Sequence, residues 1–198
     1  MNKLIGHVVE VNIGTKDEEL SKHSCDSVQA ELDGFVGDRH RSISRETWAG
    51  DKQAQGTERR NERQWSAMSV EELESISERM DLTRQLTAAD LSVNLCFKGI
   101  PKLSLLPKGT ILKFSSGAQL MVEEYNPPCS EMSEKIAAAF TCNSGEPLAK
   151  NTFSQAAIFT RGLVGVIEVA GKICVNDEVI VEVYQPPLWV TNQLNQSR

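Results

Sequence analysis

Several things are scarce in this 198-residue chain, and each scarcity excludes something. No apolar stretch approaches the length of a membrane span. Histidine occurs three times, at His7, His23 and His40, and none of the five cysteines forms a Cys-x-x-Cys pair. That leaves neither the spacing of a structural zinc site nor the cysteine cluster of a ferredoxin-type centre. An odd number of widely spaced cysteines also argues against a disulfide framework and for free thiols in a reducing compartment. Positive charge is in deficit: 21 Lys and Arg against 27 Asp and Glu give a formal charge of −6. With a pI near 5.2, broad binding to nucleic acid or to an anionic membrane is not expected. The start, Met1-Asn2-Lys3-Leu4, has no signal-peptide apolar region, so the expected compartment is the cytoplasm. No internal repeat, low-complexity tract or linker stands out.

What remains is a chain with 40% hydrophobic residues and a mean hydropathy of −0.30, enough for one sizeable core. Val8 to Ile13 alternates apolar and polar residues, the period of a half-buried strand, and a second strand is expected near Val28 to Leu32. Residues 41–61 are polar and charged and read as a long exposed loop. Gln64 to Met68 reads as a strand running into a helix that opens with the capping box Ser69-x-x-Glu72 and places Val70, Leu73 and Ile76 on one face. Thr110 to Phe114 and Ala118 to Tyr125 form an expected hairpin, stopped by Pro127 and Pro128. Ser130 is the expected cap of a helix carrying Met132, Ile136 and Phe140. A further capping box, Thr152 to Gln155, opens a short helix closed by Gly162. Leu163 to Val169 and Glu178 to Tyr184 are β-branched runs, and the tail from Pro186 is polar and aperiodic. The fold class is mostly β (α+β), a barrel or sandwich with a few short helices.

Among the thiols, Cys129 has the most suggestive surroundings. It follows two prolines and stands at the start of a helix, where unpaired N–H groups and the positive end of the dipole favour a thiolate. Such a sulfur suits a nucleophile, a persulfide carrier or a soft-metal ligand; equally, a small cysteine here can simply pack. Cys96 and Cys174 sit in apolar runs and read as core, whereas Cys25 and Cys142 read as incidental loop thiols. Upstream, Gly34-Phe-Val-Gly37-Asp38-Arg39-His40 gathers two glycines, a carboxylate, a guanidinium and an imidazole at a turn. Arg39 could clamp a phosphate and His40 could donate a hydrogen bond; the plainer reading is a tight turn in which Asp38 bonds the local backbone. Arg39, Arg41, Arg45, Arg59, Arg60 and Arg63 crowd this part of an acidic chain. They form either a solvated charged face or an anion pocket.

Taken in order, these segments resemble the MOSC family, the module that ends molybdenum cofactor sulfurases, over residues 6–184, with 185–198 left as a polar tail. The resemblance is carried by Gly34-x-x-Gly37-Asp38-x-His40, Arg63-Gln64-Trp65-Ser66 with its following helix, Asn94-Leu95 through Gly99-Ile100, Pro128-Cys129, Arg161-Gly162, and Gly171-Lys-Ile-Cys-Val-Asn-Asp177. Small bacterial stand-alone members are the nearest in kind. The resemblance implies a MOSC-type β-barrel and a role in molybdenum cofactor or sulfur chemistry. In that role Cys129 acts as sulfane carrier or as protein ligand of molybdenum. Arg39, His40, Asn94, Arg63 and Arg161 would line a cofactor pocket for molybdopterin. A cysteine desulfurase or an external electron-transfer protein would be the partner. No pyridoxal phosphate is expected, because no aminotransferase-like domain is present. Two functions follow, a sulfur carrier or a molybdenum-dependent reductase of N-hydroxylated compounds; a non-catalytic small-anion binding module is the third. The chain departs from the family at Val93, where a glutamate is common in the presumed pocket. It departs again at Asn176, which replaces a glycine and tolerates the same left-handed turn.

Overall fold

The computed structural model describes residues 4–15 and 20–189. Thirteen strands dominate it: β1 (Leu4–Ile13), β2 (His23–Cys25), β3 (Ser27–Glu31), β4 (Gly34–Phe35), β5 (Ser44–Glu46), β6 (Glu58–Arg60), β7 (Trp65–Ser69), β8 (Leu95–Lys98), β9 (Ile111–Phe114), β10 (Gln119–Tyr125), β11 (Leu163–Val169), β12 (Gly171–Cys174) and β13 (Glu178–Glu182). Three α-helices accompany them, α1 (Val70–Arg79), α2 (Ser130–Ala139) and α3 (Thr152–Ala156), with one 3-10 turn at Leu103–Leu105. No helix among the described residues is long and apolar enough to cross a membrane.

Seven strands close on themselves in the order β1, β13, β9, β10, β11, β7, β8 and back to β1, the barrel that the resemblance implies and one of the two architectures open to the strand-rich pattern. Closure is possible because the ten-residue β1 pairs with β13 through Leu4–His7 and with β8 through His7–Val11, shifting register between Val8 and Glu10. Its last residues carry β2 at the rim. Every pairing is antiparallel except β7 with β8. A parallel pair needs a crossover, and the crossover here is α1 and the segment up to Asn94.

Alternation along the strands sorts side chains into two cores. Ala67, Leu95 and Phe97 belong to the cluster that fills the barrel with Val8, Trp65, Leu112, Phe114, Leu120 and Val181. Their immediate neighbours Met68 and Cys96 belong instead to a cluster with Leu73 and Ile76 of α1, Met132 and Ile136 of α2, and Phe153 of α3. Trp65 is wholly buried and donates its indole N–H to the Val166 carbonyl at 2.9 Å. Gly165 lets it fit, since a Cβ there would lie 2.0 Å from the Met121 carbonyl oxygen and 2.5 Å from the Trp65 ring.

Several local expectations need correction. The supposed loop over residues 41–61 holds a hairpin, β5 with β6. Its strands escaped notice because they read Ser-Arg-Glu and Glu-Arg-Arg, with no apolar face. Cys129 itself, rather than Ser130, occupies the N-cap of α2. Residues Thr152 to Gln155 form no capping box: Asn151 precedes α3 without a side-chain bond, and the helix ends at Ala156, well short of Gly162. Cys25 lies in β2 and Cys142 is buried, so neither is a loop-surface thiol. Asn176 does take the left-handed conformation, with φ +73. Residues 190–198 of the polar tail lie outside the described residues.

The capping box of α1 does form, and it carries a titratable group into the interior. Glu72 accepts from the Ser104 N–H at 2.8 Å and the Ser69 N–H at 3.5 Å. Burial nevertheless pushes its carboxyl up to about 7, against those bonds. Between pH 4.5, the ordinary value, and pH 7 the native state therefore keeps a proton that the unfolded chain has lost. The associated stability is complete below pH 4.5 and disappears as pH rises through 7. Denaturant midpoints should fall between pH 5 and pH 8 by an amount worth at most about 3 kcal/mol, and Glu72→Gln should flatten that dependence relative to the native chain.

Candidate active site

Two connections at the barrel rim build the site. The first is the turn after β4, where Gly37 has φ +86 and sends Asp38 inward. The Asp38 side chain is fully buried and acts as a hub. Its Oδ2 accepts from Lys22 Nζ at 2.6 Å, Asn94 Nδ2 at 2.8 Å and the Gly14 N–H at 3.1 Å. Its Oδ1 accepts from the His40 N–H at 3.0 Å and faces His40 Nδ1 at 3.1 Å. Desolvation pushes this carboxyl up, but His40 and Lys22 outweigh it and hold it well below the usual carboxylate range. Burial lowers Lys22 to about 8, and its contact with Asp38 keeps it charged at neutral pH.

The hub orients what surrounds it. With Nδ1 donating to Asp38, the half-exposed His40 keeps Nε2 for a ligand. Arg39 donates to Ser92 Oγ at 2.7 Å and packs against Gly14. Ser92 holds φ +59, an uncommon conformation for a residue other than glycine, at a turn beside the cavity. Asn94 is almost wholly buried and its amide is spent: Nδ2 donates to Asp38 and to the Asn12 carbonyl, and Oδ1 accepts from the Ser66 N–H and Oγ. It ties β1, β7 and the Asp38 turn together, so it shapes the wall and has no free group for a ligand.

The second connection is the stretch after β10. Pro127 and Pro128 break the strand, and the Asn126 N–H bonds to the Gly162 carbonyl at 3.0 Å. Cys129 follows with φ −104 and ψ 161, and its Sγ accepts from the Met132 N–H at 3.4 Å. Of the five cysteines it alone is exposed. Nearby, the Asn126 side chain accepts from Arg63 Nη2 at 2.7 Å. Arg161 is buried, donating to the Leu91 carbonyl at 2.6 Å and to the Met68 sulfur at 3.6 Å. Burial pushes its guanidinium down to about 10, the Cys129 sulfur pulls it back up, and Arg63 adds to the depression. It stays a cation at neutral pH. Burial lowers Arg63 as well.

These residues meet in one cavity of about 550 Å³. Cys129, Arg39, His40, Arg63, Asn94 and Arg161, from five separate stretches of sequence, all line it. The other arginines of the crowded interval do not. Arg41 pairs with Asp33 and Arg60 with Glu123, and both fit the charged-surface reading, whereas Arg45 and Arg59 join Asp51 and Glu62 in a mostly buried ion-pair network. Val93 is fully buried in the cluster behind the cavity, so the exchange of glutamate for valine falls on the core and not on the pocket lining. Sequence reasoning missed Asp38 as an organiser, along with Lys22, Ser92 and Trp48. Only Trp48 carried a usable signal, an aromatic in an otherwise polar interval.

The chain matches the MOSC domain over residues 38–180. It belongs to the MOSC family. YuaD of Bacillus subtilis (strain 168), named provisionally for metal-sulfur cluster biosynthesis, is 32% identical over 161 residues, which cover 81% of this chain and 82% of YuaD. The crystal structure of YuaD superposes with a TM-score of 0.85 at 27% identity, covering 93% of this chain and 99% of that one. YiiM from Geobacillus stearothermophilus shares the fold more distantly, with a TM-score of 0.60 at 14% identity over 89% of this chain and 75% of its own. YiiM from Escherichia coli gives 0.54 at 14% identity over 94% and 72%. The MOSC family is associated with molybdenum-cofactor-related function. At the cavity one exposed thiol, Cys129, and the buried cation Arg161 share the lining.

Proposed function

We propose that this MOSC protein is a sulfur carrier in metal-sulfur or molybdenum cofactor chemistry, with Cys129 as the carrier. The observation that carries the reading is an exposed sulfur capping a helix beside the buried Arg161 cation. In the loading step the Cys129 thiolate attacks the outer sulfur of a persulfide on a cysteine desulfurase. A new S–S bond forms on Cys129, the donor's S–S bond breaks, and the donor cysteine leaves as thiolate. The product Cys129–S–SH loses its proton to water, and Arg161 and the helix N-terminus favour the resulting anion. His40, its Nδ1 held by Asp38, offers Nε2 for a hydrogen bond to the acceptor. The name of YuaD points the same way.

A second reading is favoured by the number of guanidiniums and the size of the cavity, which exceed what one sulfur atom requires. No group of three His, Cys, Asp or Glu that could hold a metal ion occurs among the described residues. A metal here would take fewer than three such ligands from the protein, with the Cys129 sulfur the soft donor at the cavity, and bring the others with it. The donor set fits the molybdenum cofactor on those terms. Cys129 would supply the thiolate, and Arg39, Arg63 and Arg161 the contacts to its phosphate. Bound, the group would supply two-electron redox chemistry for reduction of an N-hydroxylated compound, with electrons from an external donor protein.

The test is intact-mass spectrometry after incubation with a cysteine desulfurase and cysteine. The native chain should gain one dithiothreitol-labile sulfur on Cys129, and Cys129→Ser should gain none. Loading on another cysteine, or none at all, overturns the carrier reading. Molybdenum at about one atom per native chain, absent from Cys129→Ser, would establish the second reading instead.

A further inference from the structure

Three cationic side chains from distant parts of the chain end on three consecutive residues, Asp90, Leu91 and Ser92. Arg161 donates to the Leu91 carbonyl at 2.6 Å and Arg39 to Ser92 Oγ at 2.7 Å. The third is Lys135, in the middle of α2, whose Nζ donates to the Asp90 carbonyl at 2.6 Å. The same Nζ donates to the Leu20 carbonyl, also at 2.6 Å, and Leu20 lines the cavity. The segment they meet on is a tight turn, closed by the Ser92 N–H on the Ala89 carbonyl at 3.1 Å and the Val93 N–H on the Ala88 carbonyl at 2.9 Å. A shift of that turn is therefore passed to both guanidiniums at once.

Lys135 does not line the cavity, and its position is costly. Burial lowers its ammonium, Asp90 opposes that, and the nearby Arg39 and Arg161 add to the lowering. What it joins explains its place. The helix that begins at Cys129 is otherwise held by Met132 and Ile136 in the apolar cluster and by Ser133, which accepts from the Ser154 N–H of α3 at 3.1 Å. Apolar burial is non-directional and fixes no exact position. Two short charge-assisted bonds from one ammonium do fix a point of α2, against Leu20 on one side and the turn on the other. We propose that Lys135 is a positioning residue for the Cys129 reaction: it fixes the helix that begins at Cys129 against the turn that holds Arg39 and Arg161, and so sets how much positive charge the sulfur faces. The proposal rests on the reading of Cys129 as the reacting sulfur and adds a residue that acts on it from outside the cavity.

Alkylation of Cys129 by two reagents of different charge tests it. Iodoacetate and iodoacetamide both form a C–S bond with the thiolate and expel iodide, but only the first is an anion. The ratio of their rates at Cys129, read by peptide mass spectrometry at low salt, reports the positive charge facing the sulfur, because the thiolate fraction cancels. Lys135→Met should lower that ratio about threefold, and Lys135→Arg, which keeps the charge and the donors, should retain most of it. The wholly buried Cys96 reports the fold in the same digest by staying unlabelled. If Lys135→Met exposes Cys96, Lys135→Gln gives the same reading with a polar side chain. A ratio unchanged in Lys135→Met while both rates shift together, or a ratio that falls as far in Lys135→Arg, overturns the proposal. In sulfur loading, the same Lys135→Met variant should lower kcat about threefold and leave KM for the desulfurase unchanged. A lowered ratio in a chain whose native form loads no sulfur leaves the role of Lys135 standing and removes the carrier reading. Normal loading with an unchanged ratio removes Lys135 alone.

Discussion

Asp38→Ala is expected to destabilise the chain by about 3–5 kcal/mol, the cost of leaving a buried charge without its partner. The Lys22 side chain is fully buried and its Nζ sits 2.6 Å from Asp38 Oδ2. Remove the carboxylate and, besides the half-exposed His40 ring, three N–H donors also lose an acceptor: the Gly14 and His40 backbone groups and the Asn94 amide. Each adds a desolvation penalty of its own. The loss will depend on pH in a definite direction. Without Asp38 nothing opposes the burial that already lowers Lys22, so its native pKa falls further below its unfolded value. The unfolded chain then binds more protons than the native one, and the stability of the variant rises with pH across the alkaline range. Urea denaturation at pH 7 and pH 9 measures both effects. The double variant Lys22→Met, Asp38→Ala should recover part of the loss, because the stranded cation is gone. If the double variant is no more stable than Asp38→Ala, the ion pair is not the source of the cost.

The same hub marks how far the sequence could be read. Alternation in β1 and β10, the capping box at Ser69 and the break at Pro127-Pro128 are local signals with local causes, and the barrel follows from strands of that kind. The residues gathered around Cys129 were reachable because motif order stood in for contacts. What stayed hidden depends on pairs far apart in the chain. Nothing near Asp38 in sequence announces Lys22 or Asn94, and a spent amide at Asn94 looks no different in sequence from one free to bind a ligand. The hairpin of β5 and β6 was invisible for another reason: it is stabilised by ion pairs among Arg45, Asp51, Arg59 and Glu62, which leave no hydrophobic period. Cys129 as its own helix cap ran against the usual preference for an oxygen acceptor.

Gly162→Ala should have the most direct effect on the site without touching any of its side chains. Gly162 has φ +93, and a Cβ there would stand 2.1 Å from the Ala67 carbonyl oxygen and 2.6 Å from Met68 Cγ. The first of these is backbone within β7, paired to β11, and cannot move alone. Strain in the left-handed region and this clash together predict a loss of more than about 3 kcal/mol. Gly162 also holds the cavity together. Its carbonyl accepts from the Asn126 N–H, which fixes the approach to Cys129, and its N–H donates to Ser104 Oγ at 2.7 Å. Ser104 is bonded in turn to Glu72, so the turn is tied to the start of α1. Displacing it disturbs the adjacent Arg161, whose guanidinium donates to the Leu91 carbonyl and lines the cavity with Cys129. Any fraction that folds should therefore load sulfur on Cys129 far more slowly than the native chain. A conservative change at Gly117 separates backbone strain from site damage. That residue also has positive φ, at +92, but nothing within 4 Å of its Cβ position. Gly117→Ala should cost only about 1 kcal/mol and leave loading intact. If Gly162→Ala instead unfolds no more easily than Gly117→Ala, or loads Cys129 at the native rate, the turn at Gly162 does not set the geometry between Arg161 and the thiol.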